Sequence, residues 1–226
     1  MINQILTDQQ LDTFGEVVNI AVGKAAEILS LMIERKISLE VPKIELLFKA
    51  DLLTHFEQRF GQDALGVSIE YDGLIKGVAT LFFEAREGKT LVDQLLAVNR
   101  EDDWDDWPQD ASEASEPQGF TDSDKEAIIE VGNMMINAVL GSVSNLVGGQ
   151  LNYSPPELNL NYNFKEKFVP YSSDTQAFVI ESVFREKETQ IDGLLVLYFE
   201  FGRSLDSFLL KLDQLFQSND LGDDEF

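Results

Sequence analysis

The chain contains the segment DTFGEVVN at residues 12–19 and the segment EAIIEVGN at residues 126–133. Each segment has an acidic residue, then a glutamate after three residues, then an asparagine after two more, and a proline follows each asparagine after a further 22 residues. The motif residues are Asp12, Glu16, Asn19 and Pro42 in the first copy and Glu126, Glu130, Asn133 and Pro156 in the second. Because each lies 114 positions after its counterpart, we interpret the chain as two copies of one unit.

The sequence around the two motifs predicts the same order of elements in each half: a helix, an extended segment, a hairpin and a closing helix. Thr7 and Thr121 are the expected helix caps, with Gln10 as a capping-box partner of Thr7. In the first half the predicted elements are a helix over 8–35, an extended segment over 37–49, strands over 65–71 and 74–84 joined by the turn Asp72-Gly73, and a helix over 87–98. In the second half they are a helix over 122–147, an extended segment over 151–164, strands over 176–185 and 191–201, and a helix over 205–216.

This repetition predicts an α/β (α+β) fold with pseudo-twofold symmetry. The helix–strand–hairpin–helix units are expected to share one antiparallel sheet, with the long helices on one face. We expect the repeats, residues 1–99 and 120–217, to form a single domain. The acidic stretch 100–119, which holds Trp104 and Trp107, is expected to be a flexible connector, and 218–226 an acidic tail.

The composition excludes several classes of function. The net charge of −24 argues against a basic nucleic-acid-binding surface, which needs clusters of Lys and Arg. The absence of cysteine excludes disulfides and thiolate catalysis, and the single histidine, His55, excludes a multi-histidine metal site. Because no secretory signal or membrane-spanning apolar run is recognisable, we expect a cytoplasmic protein that does not insert into a membrane.

Within each motif the polar residues are spaced to share one helix face, because positions i, i+4 and i+7 lie on the same side of an α-helix. Asparagine is a poor residue for the middle of a helix, and it occurs at the matching place in both copies. One interpretation is that these stripes are simply solvated outer faces. In a second, Asn19 and Asn133 cap or bridge neighbouring strands. In a third, the repeated stripes form a functional surface.

At these motifs the chain resembles the CheC/CheX/FliY family of phosphatases in bacterial chemotaxis. The signature of that family is Asp or Ser, then Glu, Asn and Pro at the spacing seen here. Glu126 departs from it, being longer than the expected Asp or Ser, and Asn137 and Val139 replace the small residues that the first copy has at Gly23 and Ala25. Two complete motifs in one chain resemble the two-site CheC branch.

The resemblance implies hydrolysis of the phosphoryl group on the aspartate of a CheY-like response-regulator receiver. It implies that Asn19 and Asn133 orient the attacking water and that Glu16 and Glu130 pair with a lysine of the receiver. Pro42 and Pro156 would shape the strand beside the helix. The protein would need no cofactor of its own, and the Mg²⁺ would belong to the receiver.

Two other functions remain open from the sequence. The chain could be a non-catalytic binding module like the middle domain of FliM, which shares the fold but lacks the stripes. It could also be a regulatory partner of a CheD-like receptor deamidase, a role that is compatible with catalysis.

Overall fold

The computed structural model describes residues 6–48, 51, 54, 64–73, 75–100, 119–147, 150–162, 176–188, 191–200 and 205–220. Within these residues the helices are α1 (Asp8–Met32), α2 (Ala85–Arg100), α3 (Asp122–Val147) and α4 (Leu205–Asp220). The strands are β1 (Ile37–Leu39), β2 (Lys43–Phe48), β3 (Ala64–Gly73), β4 (Lys76–Glu84), β5 (Leu151–Tyr153), β6 (Glu157–Asn159), β7 (Gln176–Glu186) and β8 (Ile191–Glu200).

The strands form one antiparallel sheet, in which β8 and β4 are the central pair. On one side β7 follows β8, and its outer edge pairs with both β1 and β2. On the other side β3 follows β4, and its outer edge pairs with both β5 and β6. Each half of the chain therefore adds its short strands to the hairpin of the other half, and the expected shared sheet is confirmed.

The register of the central pair contains the pseudo-twofold axis. Thr80 pairs with Val196, which lies 116 positions further along the chain. On either side of this pair, Ala79 faces Leu197 and Leu81 faces Leu195. Leu195 lies 116 positions after Ala79, and Leu197 lies 116 positions after Leu81, so each of these two pairs is the counterpart of the other. The two halves of the sheet are therefore related by a pseudo-twofold axis at the Thr80–Val196 pair.

The predicted extended segments are each interrupted by a bulge. Residues 40–42 stand opposite only residues 182–183, and residues 154–156 stand opposite only residues 69–70. One extra residue per segment bends the edge of the sheet locally. Both interruptions fall at the motif prolines, Pro42 and Pro156, since proline cannot donate a backbone hydrogen bond to the neighbouring strand.

The two bulges also have matching hydrogen bonds. The backbone N–H of Glu40 donates to the carbonyl oxygen of Val183 at 3.0 Å, and that of Ser154 donates to Glu70 at 2.9 Å. Glu40 and Ser154 are 114 positions apart, like the motif residues. The bulge is therefore part of the repeated unit and not a local irregularity of one copy.

All four helices contribute buried side chains to one apolar core against the same face of the sheet. At its centre the ring of Phe14 in α1 meets Phe178, Phe199 and Phe208 edge to face, at centroid distances of 6.2, 6.0 and 5.2 Å. This core fixes α1 against strands of the second repeat. It confirms that the long helices lie on one face.

The opposite face of the sheet carries a smaller apolar cluster around Tyr162. The Tyr162 ring packs edge to face against Phe82 at 4.7 Å, and its hydroxyl accepts a hydrogen bond from Ser68 and shares another with Thr80. A Cβ atom added at Gly66 would lie 2.6 Å from the ring, so Tyr162 needs a glycine beneath it. The sheet is thus packed on both faces.

The two long helices begin with equivalent capping boxes. Thr7 and Gln10 exchange side-chain and backbone hydrogen bonds at the start of α1, which confirms the predicted cap. At the start of α3, Thr121 and Asp124 exchange the same pair of bonds. Each box satisfies backbone N–H groups that a helix start leaves without partners.

Several boundaries differ from the predictions. Helix α1 ends at Met32 and not at residue 35, because Glu34 adopts a left-handed conformation with φ of 53° that turns the chain toward β1. Strand β3 continues through the predicted turn to Gly73, because its outer edge is paired there with β5. Helix α4 extends to Asp220, four residues beyond the predicted end. The predicted connector lies, for residues 101–118, outside the described residues, and so do Trp104 and Trp107.

Helix α3 is long and apolar enough to qualify by composition as a membrane span. Its apolar residues Ile128, Val131, Met135 and Val139, however, are buried within the protein core. The apolar character of this helix is explained by packing between the sheet and α1.

Candidate functional site

Helix α1 displays the first polar stripe on its outer side. Asp12, Glu16 and Asn19 are exposed, while Phe14 and Val18 on the opposite side are buried. The 100° rotation per residue accounts for this division, because the motif spacing repeats close to two helical turns. The stripe is therefore oriented away from the core by the same residues that hold the helix to the sheet.

The first bulge brings Pro42 next to this stripe. A surface cavity of about 530 Å³ lies between them. Its lining residues are Asp8, Leu11, Asp12, Gly15, Glu16, Asn19, Val41 and Pro42. All four predicted residues of the first copy thus lie around one opening, which we name site one.

Three polar side chains of site one, those of Asp12, Glu16 and Asn19, have no partner in the part of the chain that the structure describes. Neither Asp12 nor Glu16 forms an ion pair there, and the carboxamide of Asn19 forms no hydrogen bond. The second interpretation of the sequence, in which Asn19 caps or bridges a strand, is therefore not what the described residues show. These three groups are therefore available to a ligand or a partner protein.

The equivalent residues of the second copy, which we name site two, occupy the same places on α3 and the second bulge. Glu126 and Glu130 are exposed, and Asn133 and Pro156 are partly exposed. The side chain of Asn133 is not free, however. Its Oδ1 accepts a hydrogen bond from Nδ2 of Asn137, one helical turn further on, at 2.7 Å.

Apolar side chains beside both asparagines were missed from the sequence. Ile20 and Met134 directly follow the two asparagines and are 53% and 40% exposed. Val41 and Tyr153, from the edge of the sheet, are 86% and 42% exposed. The signal for the first pair was an apolar residue at the same position in both motifs. Large exposed apolar residues next to polar ones are typical of protein-binding surfaces.

The chemistry available at these sites is limited by residue type. Neither motif contains a histidine, cysteine, serine or lysine that could act as a nucleophile or a neutral-pH base. Within the described ranges no group of three or more His, Cys, Asp or Glu side chains is placed to hold a metal ion. What remains is a neutral amide, able to donate and accept hydrogen bonds, beside a carboxylate that can pair with a cation.

Comparison with curated proteins finds a chemotaxis enzyme. The chain is 27% identical over 158 residues to the CheY-P phosphatase CheC of Bacillus subtilis (strain 168), a match that covers 69% of this chain and 68% of that protein. No family model matches the chain.

Comparison with solved structures finds the same fold in FliY and in the middle domain of FliM. FliY of Thermotoga maritima superposes with a TM-score of 0.65 at 22% identity, covering 92% of this chain and 99% of FliY. The FliM middle domain of H. pylori superposes with a TM-score of 0.62 at 9% identity, covering 91% of this chain and 99% of that domain. At these identities the likeness establishes the fold alone.

Proposed function

We propose that the chain is a member of the CheC/CheX/FliY family and a phosphatase acting on the phospho-aspartate of a CheY-like receiver. The observation that carries the proposal is the repeated presentation of a carboxylate and an amide on the outer faces of α1 and α3. In site one these groups surround an open cavity and have no partner in the described residues. Both sites are displayed where another protein can reach them.

The chemistry of an acyl phosphate suits so small a set of residues. The oxygen of a water molecule attacks phosphorus, the bond between phosphorus and the aspartate oxygen breaks, and the carboxylate and inorganic phosphate are released. Since an acyl phosphate is already reactive, placing the water in line supplies most of what catalysis requires. Asn19 and Asn133 can orient that water without adding negative charge beside the phosphoryl group.

The glutamates have a separate role in the proposal. Glu16 and Glu130 lie one turn before the asparagines on the same stripe. A carboxylate there can pair with a lysine of the receiver and fix the depth at which the amide enters its active site. The exposed Ile20, Met134 and Val41 add apolar contact at the rim of the interface. The Mg²⁺ that neutralises the phosphoryl oxygens would be held by the receiver.

The test is to measure phosphate release from a purified CheY-like receiver that has been phosphorylated with acetyl phosphate. We expect the protein to accelerate release at substoichiometric concentration, since each molecule turns over many receivers. Equal decay with and without the protein would contradict the proposal. Because the physiological receiver is unidentified, the assay uses a panel of receivers that includes CheY of Bacillus subtilis.

A non-catalytic binding module is the second candidate, and the similarity to the FliM middle domain over 91% of the chain favours it. A receiver stabilised with beryllofluoride distinguishes the two functions when it is combined with the release assay. Binding to the stabilised receiver without accelerated phosphate release would establish the module and exclude the phosphatase.

Two further expectations depend on the family. The cytoplasmic location follows from a role beside a receiver. The partnership with a CheD-like deamidase stays a prediction, because no described feature bears on it, and co-purification with that class of enzyme is its test.

A further inference from the structure

The two stripes differ four residues after the asparagine. Helix α1 has Gly23 there, and helix α3 has Asn137. Residues four apart on a helix are neighbours on its surface, and side chains incline toward the helix N-terminus. Whatever occupies this position therefore lies over the asparagine, beside the group that is proposed to hold the water.

The consequence is visible at both sites. Among the residues that the structure describes, a Cβ atom placed on Gly23 would meet nothing within 4 Å, so they leave the space beside Asn19 open. At site two that space holds the side chain of Asn137, whose Nδ2 donates to Oδ1 of Asn133 at 2.7 Å. In the described part of the chain the Asn19 amide has no hydrogen-bond partner, whereas the Asn133 amide is held by Asn137.

We propose that Asn137 is a positioning residue that holds the Asn133 amide away from its working orientation, so that site two turns over more slowly than site one. This inference rests on the proposed phosphatase function. It identifies Asn137 as the residue that sets the relative activity of the two sites.

The reason is the demand that the reaction makes on the amide oxygen. A water molecule that attacks phosphorus uses its own lone pair, so the group that orients it accepts a hydrogen bond from it, and Oδ1 is the acceptor of the carboxamide. At site two one lone pair of that oxygen is already used, and rotation of the amide toward a receiver breaks the bond to Asn137. The net value of a typical hydrogen bond corresponds to a factor of about 3 to 10 in rate.

The first experiment measures each site alone. Asn19→Ala leaves only site two active and Asn133→Ala leaves only site one active. We expect Asn137→Ala to raise kcat about 3- to 10-fold in the Asn19→Ala background, with little change in KM for the receiver. Reciprocally, Gly23→Asn should lower kcat by a similar factor in the Asn133→Ala background. If Asn137→Ala raised site-two activity only because the smaller side chain lets the receiver approach more easily, the change would appear in KM and not in kcat.

The second experiment separates the hydrogen bond from the volume of the side chain. Asn137→Leu has a similar size but no donor, so it should raise kcat of site two as Asn137→Ala does. Asn145→Ala, an exposed asparagine further along α3, is the matched control and should leave kcat unchanged. Thermal unfolding of each variant checks that the helix is intact. An unchanged kcat in both Asn137 variants would overturn the inference.

A spectroscopic measurement reports the bond without any receiver. In the NMR spectrum of the free protein, the side-chain NH₂ resonances of Asn137 should move when Asn133 is replaced by alanine and stay in place when Asn19 is replaced. Absence of that shift overturns the inference even if the protein is a phosphatase. A shift together with no phosphate release by the wild type overturns the proposed function, and the effect on turnover with it.

Discussion

The outer faces of α1 and α3 carry the same carboxylate and amide at the same spacing, yet their surroundings differ. On α1 the asparagine faces open space over Gly23, and on α3 it is bonded to Asn137. A duplicated scaffold can thus preserve the position of a group while one neighbouring side chain changes whether that group is available. Sequence spacing alone specifies where such a group is, whereas its neighbours determine what it can do.

The scaffold itself keeps the two faces comparable. Strands β1 and β2 of the first half complete the hairpin of the second half, and β5 and β6 complete that of the first. The bulge at Pro42 lies beside the stripe that comes from its own half of the chain.

The largest expected effect is loss of catalysis when both amides are removed. The double variant Asn19→Ala/Asn133→Ala should release phosphate at the rate of the receiver alone, a loss of roughly 100- to 1,000-fold in kcat, because no group remains to orient the water. Each single variant should keep part of the activity, and Asn19→Ala should lose more. Full activity in the double variant would contradict the assignment of both sites.

The fold was largely predictable because its evidence is periodic. The helical apolar spacing on α1 and α3 and the Thr7 cap come directly from local physical chemistry, and the structure confirms them. The constant offset of 114 residues predicted a shared sheet. What could not be predicted was which strands exchange, since pairing between β1 and β7 depends on contacts across the whole chain.

The candidate sites were predictable as a spacing but not as a surface. The stripes follow from positions 12, 16 and 19 on a helix. The contact between Pro42 and the stripe depends on the bulge, and a bulge depends on the register of two distant segments. The bond between Asn133 and Asn137 has the spacing of helix neighbours, but the side-chain conformations that form it cannot be derived from spacing.

The second-largest effect concerns the core that both sites share. Phe14→Ala should lower the free energy of unfolding by about 3 to 5 kcal/mol, because it removes a fully buried ring packed against aromatic residues of the second half. Since the halves exchange strands, denaturant unfolding followed by fluorescence and by circular dichroism should give one coincident transition. Two separate transitions would show that the two halves fold independently.

A smaller effect is expected from the carboxylates that lie one turn before the amides. Glu16→Gln, measured in the Asn133→Ala background, should raise KM for the receiver about 10-fold with kcat little changed, because it removes a charge that pairs with a lysine. Glu130→Gln in the Asn19→Ala background should do the same at site two. Glu27→Gln, further along α1 and also exposed, is the control. A fall in kcat at constant KM would show that the glutamate acts in the chemical step and not in docking of the receiver.

The smallest expected effect is on stability and distinguishes the two capping boxes, which contain the charged Asp124 in α3 and the neutral Gln10 in α1. Nζ of Lys89 in α2 donates to Oδ2 of Asp124 at 3.0 Å, and Asp124 is buried. Burial acts to raise the pKa of Asp124, but the hydrogen bonds from Thr121 and Lys89 together outweigh it, so the pKa is lowered from 3.8. At the other box the neutral Gln10 donates to Oδ1 of Asp213 at 2.9 Å.

Asp124→Asn should cost about 1 kcal/mol of stability near neutral pH, since the amide keeps the capping geometry but loses the ion pair with Lys89. A carboxyl whose folded pKa is depressed stabilises the fold above its unfolded pKa and loses that contribution as the pH falls through the folded value. The difference between wild type and Asp124→Asn should therefore shrink as the pH falls below about 4, measured by urea unfolding. Gln10→Ala removes a neutral residue from the cap of α1. It should lower stability by about 1 kcal/mol, and none of this loss comes from removing a charge at the cap. An Asp124→Asn difference that stayed constant down to the acid limit would show that the charge of Asp124 is not what distinguishes the start of α3 from that of α1.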